Sequence, residues 1–175
     1  MKPLINLDDA PIDSGHHGAL FEFRMNELAR PLAAKGIGAN VTRVPPGKAA
    51  FPFHHHHANE EHFFILSGSG VLRLGDETHA VRPNDYIVIP PGGPDLAHQL
   101  INTGGEELVY LAISTMMLPE VVGYPDAGKT GVRTSYAPDP SARFLVEEDA
   151  KNQVEYWDNE TGDAVANAVA DRGKP

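Results

Sequence analysis

Between Val41 and Ile113 the chain alternates short apolar runs with breaks of Gly, Pro, Asn and Asp. The runs at 41–44, 51–57, 61–66, 71–74, 78–82, 86–89, 97–101 and 108–113 each predict a strand. They are rich in β-branched and aromatic residues and too short for amphipathic helices. Gly75-Asp76-Glu77 predicts a hairpin tip, and Asn102-Thr103-Gly104-Gly105 a second. Many short strands at regular spacing predict an all-β sandwich or barrel, placed here at 36–116. The flanks read as extensions. In 1–35, Phe21, Phe23 and Met25 alternate with polar residues and predict an extra edge strand. In 117–175, further strands are predicted at 143–146 and 154–157, and the Ala-rich stretch from Asn159 reads as a short helix or a loose tail.

The length of 175 residues suits one domain. Fourteen Lys plus Arg against 24 Asp plus Glu leave a formal charge of −10, which argues against nucleic acid and anionic membrane as main partners. The longest apolar run, 108–113, is far below the ~20 residues that cross a bilayer. The opening Met-Lys-Pro-Leu-Ile-Asn-Leu lacks a secretory apolar core, so a cytoplasmic location is expected. With no cysteine, disulfides and thiolate sites are excluded, and His and carboxylate remain as metal ligands.

Nine histidines then matter, because four are consecutive in Phe53-His54-His55-His56-His57-Ala58-Asn59-Glu60-Glu61-His62. Residues i and i+2 of a strand share a face, so either His54 with His56 or His55 with His57 can converge on one ion. A carboxylate a few residues later and His98 on a later strand can complete the set. Three imidazoles and a carboxylate suit a divalent transition ion. The plainer alternative is a His-rich surface loop that scavenges metal without function.

Two segments carry a family resemblance. Gly47-x6-His54-x-His56-x4-Glu61-x6-Gly68 resembles the first cupin motif, and Asn84-x5-Pro90-x-Gly92 followed by His98-x3-Asn102 resembles the second. The chain departs from the family pattern at three places. Six residues rather than five separate Gly47 from His54, Asn84 stands where the second motif opens with Gly, and five residues rather than two separate Gly92 from His98. The spacing from Gly47 favours His54 with His56 over His55 with His57, which then face outward. His62 reads as packing, and His16, His17 and His79 as surface residues.

The resemblance implies a double-stranded β-helix, or jelly roll, often a homodimer. It implies one divalent metal ion (Fe, Mn, Zn, Ni or Co) held by His54, His56, Glu61 and His98, with open positions for water or substrate. By strand parity Phe63, Ile65, Leu96 and Leu100 form an apolar cup around the ion. Tyr86 and Arg73 are the candidate catalytic residues that orient a substrate, with Arg43 and Gln99 behind them. The chain is similar in size to small bacterial cupins of the sugar-phosphate-isomerase-like group. The expected function is a metal-dependent enzyme with isomerase- or dioxygenase-type chemistry on a small, oxygen-rich and anionic metabolite. The alternative is a non-catalytic metabolite- or metal-binding cupin.

Overall fold

Thirteen strands order the chain in the computed structural model, which describes residues 3–136, 140–149, 151, 153–154 and 158. They are β1 (Ile12–His17), β2 (Phe21–Glu27), β3 (Ile37–Val44), β4 (His55–His56), β5 (Glu61–Ser67), β6 (Gly70–Leu74) and β7 (Glu77–Val81). Then follow β8 (Tyr86–Ile89), β9 (His98–Ile101), β10 (Leu108–Thr115), β11 (Glu120–Tyr124), β12 (Lys129–Arg133) and β13 (Arg143–Glu147). The fold is all-β, as the run lengths predict, and is a double-stranded β-helix. Among the described residues no helix is long and apolar enough to cross a membrane.

One wall is a six-stranded antiparallel sheet in the order β1-β2-β3-β10-β5-β8. The other is built from two pieces, β7-β6-β9 and β13-β12-β11-β4. Among the described residues they meet at one bridge, where the His54 and His98 backbones exchange hydrogen bonds of 3.2 and 2.8 Å. Alternation drives the packing. On β5, Phe63 and Ile65 are buried while Leu66 and Ser67 are exposed. Val44, Leu72, Val81, Ile89, Leu100, Leu108 and Tyr110 join them in one core between the walls.

The run at 51–57 shortens to the two residues of β4 plus the bridge at His54; Pro52 lacks the N–H a longer ladder needs. Phe21–Glu27 is paired on both sides, by β1 and by β3, so β1 forms the outer edge. Arg143–Glu147 is a strand on β12. Of 154–157 only Val154 is described, and the stretch from Asn159 lies outside the described residues. Asn84 takes a φ of 75°, the left-handed turn that the usual glycine would supply.

The loop 102–105 is not a hairpin tip. Its flanking strands belong to opposite walls, β9 to β6 and β10 to β3 and β5. The buried Asn102 holds this crossover by donating to the carbonyls of Val44 (2.8 Å) and Glu106 (2.7 Å) while accepting from the Gly104 N–H (2.9 Å). Asn102→Ala leaves these groups without partners, at about 1–3 kcal/mol for each one that stays buried. A urea titration is expected to show a lower midpoint with an unchanged slope.

Candidate metal centre

The four-histidine run is sorted by backbone pairing. His54 bridges to His98, and β4 pairs His56 with Val122 and His55 with Gly123. His54 and His56 therefore point between the walls, ring centroids 5.0 Å apart, while His55 and His57 pair on the far face at 4.9 Å. His55 is buried there, with Nδ1 donating to the Gly92 carbonyl at 2.9 Å. Its ring occupies the space that a Cβ at position 123 would take, so Gly123 locks the phase of the run.

Glu61, at the start of β5, carries the oxygen on which the inward histidines converge. Its Oε2 lies 2.9 Å from His98 Nε2, 3.5 Å from His56 Nε2 and 3.9 Å from His54 Nε2. His54 Nδ1 donates to the Pro52 carbonyl at 2.8 Å and His98 Nδ1 to that of Leu96 at 3.2 Å. A carbonyl only accepts, so Nδ1 carries a proton in both rings, which turns Nε2 towards Glu61; at His98 the 2.9 Å separation needs a proton or a cation between Nε2 and the carboxylate. Phe63, its ring 5.7 Å from that of His98, supplies part of the apolar surround.

His56 is oriented differently. Both its nitrogens are buried without a hydrogen-bond partner, and so is Oε2 of Glu120. Glu120, nearly inaccessible on β11, accepts through Oε1 from the backbone N–H groups of His57 (3.2 Å) and Ala58 (3.3 Å). Its Oε2 is held 3.7 Å from His56 Nδ1, a carboxylate behind an imidazole that faces Glu61.

The electrostatics follow from this crowding. Burial pushes His54 down to about 4, helped by His98 and opposed by Glu61. Burial works against the Glu61 carboxylate, but His98, His56 and His54 outweigh it and hold it at about 2. Burial likewise opposes a charge on His56, yet Glu120 and Glu61 prevail and raise its pKa.

These residues fit a divalent transition ion. Three imidazole nitrogens gathered 2.9–3.9 Å from one carboxylate oxygen form a donor set that a cation can enter. Donors about 2.0–2.2 Å from one ion lie at most about 4.4 Å apart, a limit those contacts respect. His54, Glu61 and His98 offer ligand atoms all within 4.8 Å of one another, and His56 adds a partnerless Nε2. A carboxylate behind a ligating histidine is the usual support that fixes the ring.

A cavity of about 710 Å³ opens onto His54, His56 and Glu61. Its other residues come in part from beyond the 36–116 segment, among them Glu120, Tyr124, Lys129, Arg133, Tyr136 and Arg143. The structure does not bring Tyr86 or Arg73 to this cavity. Glu61 pairs with Ile89 and Phe63 with Ile87, so Tyr86 falls in the opposite phase and is 60% exposed, its hydroxyl on His62 Nδ1 at 2.5 Å. Arg73 neighbours Gln99, one residue out of phase with His98, and pairs with Asp126 at 2.8 Å. Gln99 is bound to the Phe51 carbonyl and Arg43 to Asn26. Sequence reasoning missed Glu120 and the cations of β12–β13. The signal was present in Lys129-x-Gly131-x-Arg133, whose alternation puts both charges on one face.

The chain matches the cupin domain model over residues 40–114. It is 34% identical over 92 residues to the uncharacterized protein MJ1618 of Methanocaldococcus jannaschii, covering 51% of this chain and 70% of that one. It is 38% identical over 72 residues to mannose-1-phosphate guanylyltransferase 2 of Escherichia coli, covering 41% of this chain but only 14% of that protein. In three dimensions it resembles a candidate sugar phosphate isomerase from Acidithiobacillus ferrooxidans with a TM-score of 0.72 and 24% identity, over 88% of this chain and 97% of the other.

A pH titration tests the buried charges in chelated protein. His54 has its full stability above 6.5 and loses it as pH falls to about 4, because only the unfolded imidazole takes up a proton. That amounts to about 3 kcal/mol at most. Glu61 adds a loss as pH falls below 4.5 towards about 2, whereas His56 contributes in the opposite sense, losing stability as pH rises. Thermal melts of His54→Gln are expected to depend less on pH between 6.5 and 4 than those of the wild type.

Proposed function

We propose, from the premise that this chain belongs to the cupin superfamily, that it is a metal-dependent enzyme acting on a small, oxygen-rich, anionic metabolite by isomerase- or dioxygenase-type chemistry. The observation that carries the proposal is the convergence of three Nε2 atoms on Glu61 Oε2, 2.9–3.9 Å away, at the inner end of the cavity. His54, His56, Glu61 and His98 would hold one ion of Fe, Mn, Zn, Ni or Co, since N/O ligands of this kind accept each of them. Such an ion supplies Lewis acidity that polarises a substrate oxygen.

The chain's own residues do the rest. Glu120 keeps His56 turned towards Glu61, and the backbone carbonyls of Pro52 and Leu96 fix the tautomers of His54 and His98. Phe63, Ile65 and Leu100 exclude water from the far side, where low dielectric strengthens every charge interaction. Tyr124 has its ring 6.2 Å from that of His54 and its hydroxyl on Arg143 at 3.4 Å. These contacts favour Tyr124, rather than Tyr86, as the residue that would orient a bound substrate. The homodimer expected from the family is supported by Leu66, Tyr86 and Val88, exposed on the outer face of β5 and β8.

Elemental analysis of protein purified without added metal tests the reading. One ion per chain is expected, lost in His98→Ala and kept in His57→Gln, an exposed histidine of the same run. Substoichiometric mixed metal, unchanged in His98→Ala, would mean that the run merely scavenges. The element then selects the assay: iron for oxygen chemistry, zinc or manganese for isomerisation. A tightly held ligand with no product over long incubation would favour the non-catalytic binding reading.

A further inference from the structure

The wall contributed by β11–β13 carries an arrangement of charge that the metal centre does not use. Register places Glu120, Arg133 and Arg143 in one row across the three strands. Directly opposed residues of antiparallel strands have Cβ atoms about 4.5–5.5 Å apart on the same face, and like charges there repel. Arg133 and Arg143 both line the cavity that opens onto His54, His56 and Glu61. Glu120 does not neutralise them. Its oxygens are engaged with the His57 and Ala58 N–H groups and turned to His56, and no described carboxylate lies within 4 Å of either guanidinium.

Each guanidinium is propped by a tyrosine of the same cavity. Arg133 stacks over the Tyr136 ring at 5.1 Å, and Arg143 donates to the Tyr124 hydroxyl at 3.4 Å. Lys129 stands two rows further along the same face, 5.2 Å from the Tyr124 ring, with Glu147 as its cross-strand neighbour. Gly131, between Lys129 and Arg133 on the same face, also lines the cavity, where a Cβ would meet Leu145 Cδ2 at 3.3 Å and the Tyr124 ring at 3.6 Å. Two cations on neighbouring strands with no described carboxylate within 4 Å repel each other, and aromatic props that hold them in place suit a ligand that would occupy the space between them.

We propose that Arg133 and Arg143 form a two-guanidinium clamp for the phosphoryl group of a phosphomonoester substrate, its remainder reaching towards His54, His56 and Glu61. This rests on the reading of the centre as a metabolite site and names the substrate class. Charge counting selects phosphoryl over carboxylate. A phosphomonoester carries about −1.5 to −2 at neutral pH, matching two guanidiniums, whereas a carboxylate leaves one unmatched. The planar forks of arginine also fit phosphoryl oxygens in pairs. The centre itself has no charge to spare, since Glu61 and Glu120 already match a divalent ion.

Calorimetric titration of the metal-loaded full chain with inorganic phosphate, and separately with acetate, tests the clamp. Phosphate is expected to bind more tightly than acetate. Arg133→Gln and Arg143→Gln are each expected to weaken it by about tenfold, the scale of one hydrogen bond to a charged group. Arg73→Gln, on the outer face, is expected to change nothing. In phosphate-free buffer neither clamp variant should melt below the wild type, because each relieves a repulsion, and each should lose the rise in Tm that phosphate gives the wild type. Phosphate affinity retained in His98→Ala would uphold the clamp even if the metal reading failed. Affinity lost in His98→Ala with both arginines intact would put the anion on the ion and overturn it. Equal phosphate binding by wild type and both clamp variants, or acetate binding as tight as phosphate, would overturn it as well.

Discussion

The reciprocal backbone hydrogen bonds between His54 and His98 are the constraint on which the site depends. They join the two pieces of one wall and set two imidazoles side by side, ring centroids 4.7 Å apart. Once His54 is held, the two-residue period of an extended chain decides the rest: His56 points inward, and His55 and His57 outward. A slip of one residue would invert the set. The packing of His55 against Gly123 resists that slip, because the outward ring sits where only a glycine leaves room. The site is thus secured from its back face.

Inside, polar groups are placed where a protein without a ligand would gain nothing from them. Burying polar nitrogens without partners costs free energy, and His56 has two such atoms. Glu61 and His98 face each other so closely that a cation or a proton belongs between them. The carbonyls of Pro52 and Leu96 hold the Nδ1 proton at His54 and His98, and Glu120 stands 3.7 Å behind Nδ1 of His56. Each of the three imidazoles is thereby turned towards the same carboxylate by a group outside the ligand set.

The strands after the barrel change what the cavity can receive. β11 delivers Glu120 to the back of His56 and Tyr124 beside His54; β12 and β13 add a cationic face. An acidic chain, at −10 overall, still presents a locally basic wall to a ligand at its centre. The division of labour is spatial. The barrel strands carry imidazole and carboxylate, and the later strands carry guanidinium and phenol.

Strand positions, the all-β class and the spacing His54-x-His56-x4-Glu61 were legible in the sequence because they follow from a local period and from fixed distances along the chain. The spacing also favoured His54 with His56, but the structural reason, His55 over Gly123, joins residues 55 and 123, which nothing local relates. The loop 102–105 looked like a hairpin tip because turn residues signal a reversal without saying which strands will pair. Tyr86 and Arg73 drew attention as polar residues near the right strands, yet their phase relative to Ile89 and His98 turned them outward. Glu120, Arg133 and Arg143 reached the site through pairing of β11 with β4 and β12 with β13. Sequence by itself determined which residues could coordinate, since side-chain chemistry and a two-residue period are local properties. Only the tertiary structure decided which of them meet and what faces them, because strand pairing is a long-range choice made by the packing of the whole sandwich.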